Sequence, residues 1–193
     1  MDIDSKKIHH YNSRYFDTQE LKYYHDHHNG KRKRHKVRLR KYESSSQCFV
    51  EFKQKNIKGE TIKQRSISTW KEELSSQDIS FLSSIQDAVA FDELKSSLSN
   101  DFNRVTFLNK KSKERMTFDL NLNFNHSDEF DSLQNVVIGE LKQEKKCASD
   151  FSSLLAKQGV RSSSFSKYCT GISLLNSGIK SNTFKSLLVK LGK

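Results

Sequence analysis

Cations on alternating positions mark the part of this sequence that could do chemistry. Arg34, Lys36, Arg38 and Arg40 are each separated by a single residue. Side chains alternate between the two faces of a β-strand, so these four cations would line one face. A row of cations on one strand face indicates an anionic ligand, and the planar fork of arginine grips phosphate oxygens bidentately.

The same pattern continues in the next two stretches. Glu51, Lys53 and Lys55 occupy every second position and would share one strand face, with Val50 and Phe52 on the other face. After a turn, Lys63 and Arg65 would share a face of the next strand. Three successive strands with short turns are typical of an antiparallel meander. These strands would carry a continuous cationic face that also includes a carboxylate.

Later strands add further charges to such a face. Arg104 shares a strand face with Thr106, opposite Val105 and Phe107. Arg115 and Asp119 share a face of a later alternating stretch, and Glu140 shares a face with Lys142. The chain has 25 Lys and only nine Arg, so lysine is its ordinary cation. Six of the nine arginines nevertheless occupy these faces: Arg34, Arg38, Arg40, Arg65, Arg104 and Arg115. The preference for arginine indicates a geometric requirement, and the interspersed carboxylates suit a site for metal and phosphate.

The net charge of the 193-residue chain, +11, is concentrated in one segment. Residues 31–65 contain thirteen Lys or Arg and three acids, which gives +10, and the rest of the chain contributes +1. A local basic block predicts an anionic partner. The acidic N-terminus and the lack of a long apolar run predict neither a signal peptide nor a membrane span. Three widely spaced cysteines (Cys48, Cys147 and Cys169) indicate a reducing, cytoplasmic setting.

The elements that must position these residues are predicted from periodicity. Seven strands are expected, at 11–17, 34–40, 48–55, 61–67, 102–108, 115–124 and 136–142. Helices are expected at 18–30, 148–157, 164–175 and 183–191, and one or two helices are expected within 76–98. The fold class is therefore α+β: an antiparallel β-barrel with a polar, basic lumen and helices packed on its outside.

Several of these motifs, taken in order, resemble the VTC domain family, the catalytic domain of vacuolar transporter chaperone polyphosphate polymerases. They are Asn12-Ser13-Arg14-Tyr15-Phe16-Asp17-Thr18, Lys36-Val37-Arg38-Leu39-Arg40, Phe49-Val50-Glu51-Phe52-Lys53, Lys63-Gln64-Arg65, Arg115-Met116-Thr117-Phe118-Asp119, Glu140-Leu141-Lys142 and Phe165-Ser166-Lys167-Tyr168. The resemblance covers nearly the whole chain.

The resemblance implies the triphosphate tunnel metalloenzyme fold and the transfer of the terminal phosphate of ATP to a polyphosphate chain, with Mn²⁺ or Mg²⁺. It implies catalytic roles for Arg38, Arg40, Lys53, Lys63, Arg115 and Lys167. Substrate-binding roles are expected for Arg34, Lys36, Lys55, Arg65, Arg104 and Lys142. Glu140 is expected to bind the metal, and Glu51 and Asp119 are weaker candidates that could equally form salt bridges.

The resemblance also carries expectations about organisation. Residues 1–193 would form one tunnel domain, with the C-terminal helices 148–193 packed on the barrel. The family has a further strand before the Tyr15-Phe16-Asp17 motif, and a closed antiparallel barrel needs an even number of strands. The count of seven therefore predicts that the first strand is missing. A location at the cytoplasmic face of a membrane, beside a membrane partner, would fit the family.

Other functions remain open from the sequence. A triphosphate or polyphosphate hydrolase of the same superfamily would use the same geometry, and a non-catalytic polyphosphate-binding domain needs only the cations. A nucleic-acid binder would exploit the +10 segment, but single-strand recognition usually adds exposed aromatic residues beside the cations. His25 and His28 are expected at the surface, without a metal, whereas His27 matches a family position.

Overall fold

Eight antiparallel strands form one sheet in the computed structural model, which describes residues 8–86, 89–110, 112–143 and 149–193. The strands are β1 (Ile8–Asp17), β2 (Arg34–Tyr42), β3 (Gln47–Lys55), β4 (Thr61–Ser68), β5 (Lys95–Asn109), β6 (Glu114–His126), β7 (Glu129–Leu133) and β8 (Ile138–Lys142). The helices are α1 (Lys22–His28), α2 (Ser76–Ile85), α3 (Asp150–Lys157), α4 (Lys167–Leu175) and α5 (Lys185–Lys190). The predicted α+β class with an antiparallel sheet is confirmed.

The sheet follows the order β4-β3-β2-β1-β5-β6-β7, and β8 pairs with the other half of β6. Residues 122–126 of β6 pair with β7, and residues 115–119 pair with β8. Within the described part of the chain, no pairing joins β4 to β8. One edge of the sheet is therefore β4, and the other edge is formed by β7 and β8, which each pair with a different half of β6.

Two sequence predictions about the elements are wrong. The described residues form eight strands and not seven. The sequence pattern missed β7, because this strand has only five residues and lacks a clear apolar alternation. The strand count therefore no longer supports the prediction that the first strand is missing. The helix expected over 76–98 ends at Ile85, and β5 already begins at Lys95, where it pairs with Asp17 of β1. Tertiary pairing overrides the apolar spacing of residues 94 and 98.

A β-bulge in β6 redirects half of that strand. Asn121 has φ 53°, a conformation that asparagine tolerates better than most residues, and the register with β5 shifts here. In the predicted strand 115–124, unbroken alternation would place Leu122 and Phe124 on the face opposite Asp119. The bulge instead turns Phe124 toward the concave face, where its cross-strand partner Asn100 lies.

Helices pack on both faces of the sheet. On the convex face, α2 begins with a capping box between Ser75 and Asp78 and buries Leu82 against β2 and β3. On the concave face, α4 packs against β1, β5, β6 and β7 through Tyr168, Cys169 and Ile172. This helix closes one end of the concave space. No helix among the described residues is long and apolar enough to cross a membrane.

Gly171 permits the close approach of α4 to the sheet. A Cβ atom at this position would lie 2.6 Å from side-chain atoms of both Leu98 and Phe124, which are fully buried. The helix therefore needs glycine here despite its low helix propensity. The docking of α4 in turn places Lys167, the first residue of the helix, over the cavity.

Candidate functional site

A cavity of about 720 Å³, here called the central cavity, opens on the concave face of the sheet. Strands β1–β6 and β8 line it, together with the segment 163–167. Its basic lining residues are Lys36, Arg38, Arg40, Lys53, Lys63, Arg65, Arg104, Arg115, Lys142 and Lys167, and its acidic ones are Glu51, Asp119 and Glu140. Ten cations against three carboxylates make this a strongly electropositive chamber.

Strand register explains why these charges converge. Arg38 lies opposite Glu51 and Lys36 opposite Lys53 in the β2–β3 pair. Lys53 in turn lies opposite Lys63 in the β3–β4 pair. Directly opposed residues share a face, so each turn of the meander adds its charges to the same side.

A second cavity of about 470 Å³ adjoins the first one. Its basic lining residues are Arg34, Lys36, Lys53, Lys55 and Lys190, and it shares Lys36 and Lys53 with the central cavity. Eleven of the thirteen predicted site residues line the central cavity, and the remaining two, Arg34 and Lys55, line the second cavity alone. The structure thus brings the predicted residues together, and their individual roles stay predictions.

Arg38 is held by a carboxylate and a phenol. Its Nε and Nη2 atoms donate to Oε2 of Glu51, at 2.7 and 2.5 Å, and its Nη1 donates to the Tyr15 hydroxyl at 3.1 Å. Burial opposes ionisation of Glu51, but Arg38 outweighs this effect and keeps its pKa below the usual range. The ion-pair interpretation of Glu51 is therefore favoured over a metal ligand.

Tyr15 is a cavity residue that the charge pattern did not identify. It is 3% exposed and stacks on Tyr168, with ring centroids 5.1 Å apart. Burial by itself disfavours its ionisation, but the neighbouring cations, Arg38 and Arg40 foremost, lower its pKa to about 8. The sequence did contain a signal for Tyr15: it alternates with Phe16, and it lies on the face of β1 that continues the cationic face of β2.

Asp119 joins β5 to α4 through two cations. Arg104 donates to both of its carboxylate oxygens, at 2.6 and 2.8 Å, and Lys167 also donates to Oδ2. Burial would raise the pKa of Asp119, but the two cations lower it. The carboxylate is 3% exposed and already paired twice, so it too acts as a structural anion.

Lys53 and Lys63 face the cavity without a hydrogen bond or ion pair to any side chain that the structure describes. Burial and the nearby Lys36 and Lys63 lower the pKa of Lys53 to about 8. Burial and Lys142 lower the pKa of Lys63 as well. Both groups are therefore poised to interact with an anion, which would relieve the repulsion among them.

Glu140 is the least engaged of the three carboxylates. Its side chain is 51% exposed, and its ion-pair partner is Lys142 at 3.3 Å. Burial tends to raise its pKa, but Lys142 lowers it, so the group is an anion at neutral pH. No group of three or more potential metal-ligating side chains occurs among the described residues. A single half-exposed carboxylate still suits Mg²⁺ or Mn²⁺, because such ions often take most of their other ligands from phosphate and water.

The histidine prediction is only partly correct. His28 is 5% exposed and contacts the Asn182 side chain, since α1 packs against the turn at Asn182–Phe184. His27 lines the second cavity. Cys48 and Cys169 are buried free thiols, as structural residues should be, whereas Cys147 lies outside the described residues.

Comparisons with known proteins agree with this architecture. The sequence profile of the VTC domain matches residues 2–176. No curated protein matches the sequence. A Bacillus halodurans protein described as a candidate adenylate cyclase has a similar structure, with a TM-score of 0.53 and 12% identity over 83% of this chain and 80% of that one. This likeness confirms the predicted tunnel fold.

A candidate adenylyl cyclase from Hippeastrum, described as having a dominant triphosphatase activity, aligns with a TM-score of 0.44. Its identity is 14%, over 89% of this chain and 85% of that chain. At this level of similarity the alignment carries no argument about the present chain.

Proposed function

Because this chain belongs to the VTC domain family, we propose that it transfers the terminal phosphate of ATP to a polyphosphate chain in the central cavity. The observation that carries the proposal is the balance of charge in that cavity. Ten cations face three carboxylates, and two of those, Glu51 and Asp119, are already neutralised by Arg38, Arg104 and Lys167. The remaining positive charge requires a polyanion.

Phosphoryl transfer asks the protein mainly for positioning and for stabilisation of charge. The guanidinium of Arg38 is fixed by Glu51, and that of Arg104 is fixed by Asp119. Fixed donors do not have to reorganise when charge shifts along the reacting phosphates. Lys53 and Lys63, which lack fixed partners among the described side chains, would neutralise the oxygens of the chain.

Glu140 is the residue that would hold a divalent metal. When bound, Mn²⁺ or Mg²⁺ would offset the negative charge of the phosphates. Lys142 lies on the same strand face and would contact the phosphates beside Glu140. Of the three carboxylates that line the cavity in the described part of the chain, Glu140 is the one that can accept an ion without breaking an arginine contact.

We further propose that residues 1–193 act as one tunnel domain. A cytoplasmic location at the face of a membrane, beside a membrane partner, fits the family. ATP and polyphosphate or triphosphate would be the ligands. Nucleic acid fits less well, because the cations point into a curled sheet rather than onto an open face.

Product analysis tests the polymerase proposal. The purified chain, ATP and Mn²⁺ should yield ADP and a ladder of polyphosphate on a gel. Glu140→Gln should abolish the ladder while polyphosphate binding is retained, and Glu129→Gln, on β7 outside both cavities, should leave the ladder unchanged. Release of orthophosphate without polymer would show a hydrolase. Full activity of Glu140→Gln would exclude the proposed metal ligand.

A further inference from the structure

Asp17, the last residue of β1, is a fully buried carboxylate that lines neither of the two cavities described above. Its Oδ1 atom accepts hydrogen bonds from the backbone N–H groups of Thr18 and Tyr23, at 2.7 and 2.8 Å. Its Oδ2 atom accepts from the backbone N–H of Tyr24, at 2.9 Å, and from the Tyr168 hydroxyl. Four donors fill the four lone-pair sites of a carboxylate, so the side chain is fully engaged.

Three of these four bonds shape the start of α1. The residue before this helix, Leu21, has φ 54° and makes no side-chain cap, so Asp17 satisfies the first N–H groups from outside the helix. The fourth bond, from Tyr168, instead joins β1 to α4. Burial and the Asp17 carboxylate raise the pKa of Tyr168 well above its usual range, so the hydroxyl keeps its proton and is the donor.

This fourth bond lies next to a residue of the central cavity. Tyr168 follows Lys167, whose ammonium group lines the cavity and donates to Asp119. On the other side of Lys167, the Ser166 hydroxyl accepts a hydrogen bond from Nζ of Lys36, on β2, at 2.9 Å. Both neighbours of Lys167 are thus tied to the sheet, which limits where the lysine side chain can lie.

We propose that Asp17 is a positioning residue of the central cavity, which fixes the first turn of α4 through Tyr168 and thereby directs Lys167 at the ligand. Asp17 does not line the cavity, so it acts only through these two residues. The ring of Tyr168 also stacks on Tyr15 in the cavity wall, and this contact does not need the hydroxyl. The inference rests on the proposed function for the identity of the ligand, whereas the placement of α4 is independent of turnover.

Tyr168→Phe tests the proposal, because it removes the bond to Asp17 and retains the ring. The matched control is Tyr24→Phe. The Tyr24 hydroxyl also contacts α4, at Oγ of Ser173 (2.9 Å), but toward the other end of the helix. Each variant loses one hydroxyl that bonds to or from α4, so a general loss of stability would be similar in the two.

Amide hydrogen exchange measures the placement of α4. The N–H of Thr170 donates to the carbonyl oxygen of Ser166 at 2.8 Å and therefore reports on the first turn of the helix. In Tyr168→Phe this amide should exchange about tenfold faster, since a hydrogen bond to a charged group contributes about that factor. Tyr24→Phe should leave it near the wild-type rate. Wild-type exchange in Tyr168→Phe, or equal acceleration in both variants, would overturn the role of Asp17.

Titration with tripolyphosphate shows whether the positioning acts through Lys167. Calorimetry should give an affinity about tenfold weaker for Tyr168→Phe than for the wild type or Tyr24→Phe. In a Lys167→Met background, Tyr168→Phe should cause little further loss, because the side chain that the bond positions is absent. Losses that multiply would overturn an action through Lys167. A wild type that binds no tripolyphosphate would contradict the proposed function, and hydrogen exchange would still decide whether Asp17 holds α4.

Discussion

Arg104 and Asp119 lie directly opposite each other on β5 and β6, and the guanidinium contacts both carboxylate oxygens. Lys167 of α4 donates to the same carboxylate. One acidic side chain thus fixes two of the ten cations of the central cavity and connects the sheet with the helix that closes it. This arrangement makes Asp119 a structural centre of the site.

Replacement of Asp119 by asparagine should destabilise the fold. The change leaves two cations without their anion on the cavity wall, and breaking a buried ion pair on one side typically costs about 3–5 kcal/mol. We expect a loss of about 3 kcal/mol in urea denaturation. Asp131→Asn, which removes the partner of Lys193 outside the cavity, is the matched control and should cost less than about 1 kcal/mol. Similar losses for both variants would contradict the structural role of Asp119.

Tripolyphosphate should stabilise the chain strongly. Without a ligand the cavity cations repel one another, and burial together with this repulsion lowers the pKa values of Lys53 and Lys63. A ligand at 100 times its dissociation constant adds about 2.7 kcal/mol, which raises Tm by about 5–10 °C in a chain of this size. Differential scanning fluorimetry at matched ionic strength measures the shift. An unchanged Tm at millimolar tripolyphosphate would argue against an anion-binding cavity.

Binding to the central cavity should depend on pH through Lys53. Its pKa of about 8 in the free protein rises when an anion binds, so the complex holds more protons above pH 8. The affinity should therefore be steady below pH 8 and fall as pH rises toward 10.

Lys53→Arg tests this dependence, because arginine keeps its charge throughout that range. The variant should lose much of the decline in affinity above pH 8. An identical pH profile for wild type and variant would assign the dependence to other groups.

Gly171→Ala should loosen the docking of α4. The new methyl group would collide with Leu98 and Phe124, and overpacking of a core typically costs about 1–3 kcal/mol. Gly178→Ala is the control, since no atom lies within 4 Å of its Cβ position. Urea denaturation should separate the two variants. A stability gain for Gly171→Ala would show that the helix shifts to accept the methyl group.

Periodicity predicted much of the fold and of the site. Alternating charges predicted ten of the eleven site residues that line the central cavity, because period-two patterns translate directly into strand faces, and the eleventh, Lys167, came from the family resemblance. The pattern was uninformative at β7, which is short, and misleading at Asn121, where a bulge reverses the face of the residues that follow. The sequence around Asn121 does not reveal the bulge, because asparagine tolerates a positive φ value but does not require one.

The partners of the charges were harder to predict. The sequence left Glu51 and Asp119 open between metal ligands and salt bridges, and only the three-dimensional contacts with Arg38, Arg104 and Lys167 favour the latter. Four of the five basic residues of the second cavity (Arg34, Lys36, Lys53 and Lys55) were predicted site residues, but their separation from the central cavity was not predicted. The walls of the second cavity come from α1, β2, β3 and the C-terminal helices, which are distant in sequence.

The central claim is that the concave cavity holds a phosphate chain with a metal at Glu140. A crystal of the chain grown with tripolyphosphate and Mn²⁺ tests it most directly, because manganese is located by its anomalous scattering. We predict phosphates along Arg38, Arg104 and Lys63, and a manganese ion bonded to both Glu140 and phosphate oxygens. Phosphates confined to the convex face, or manganese bound elsewhere while Glu140 still pairs with Lys142, would contradict the account.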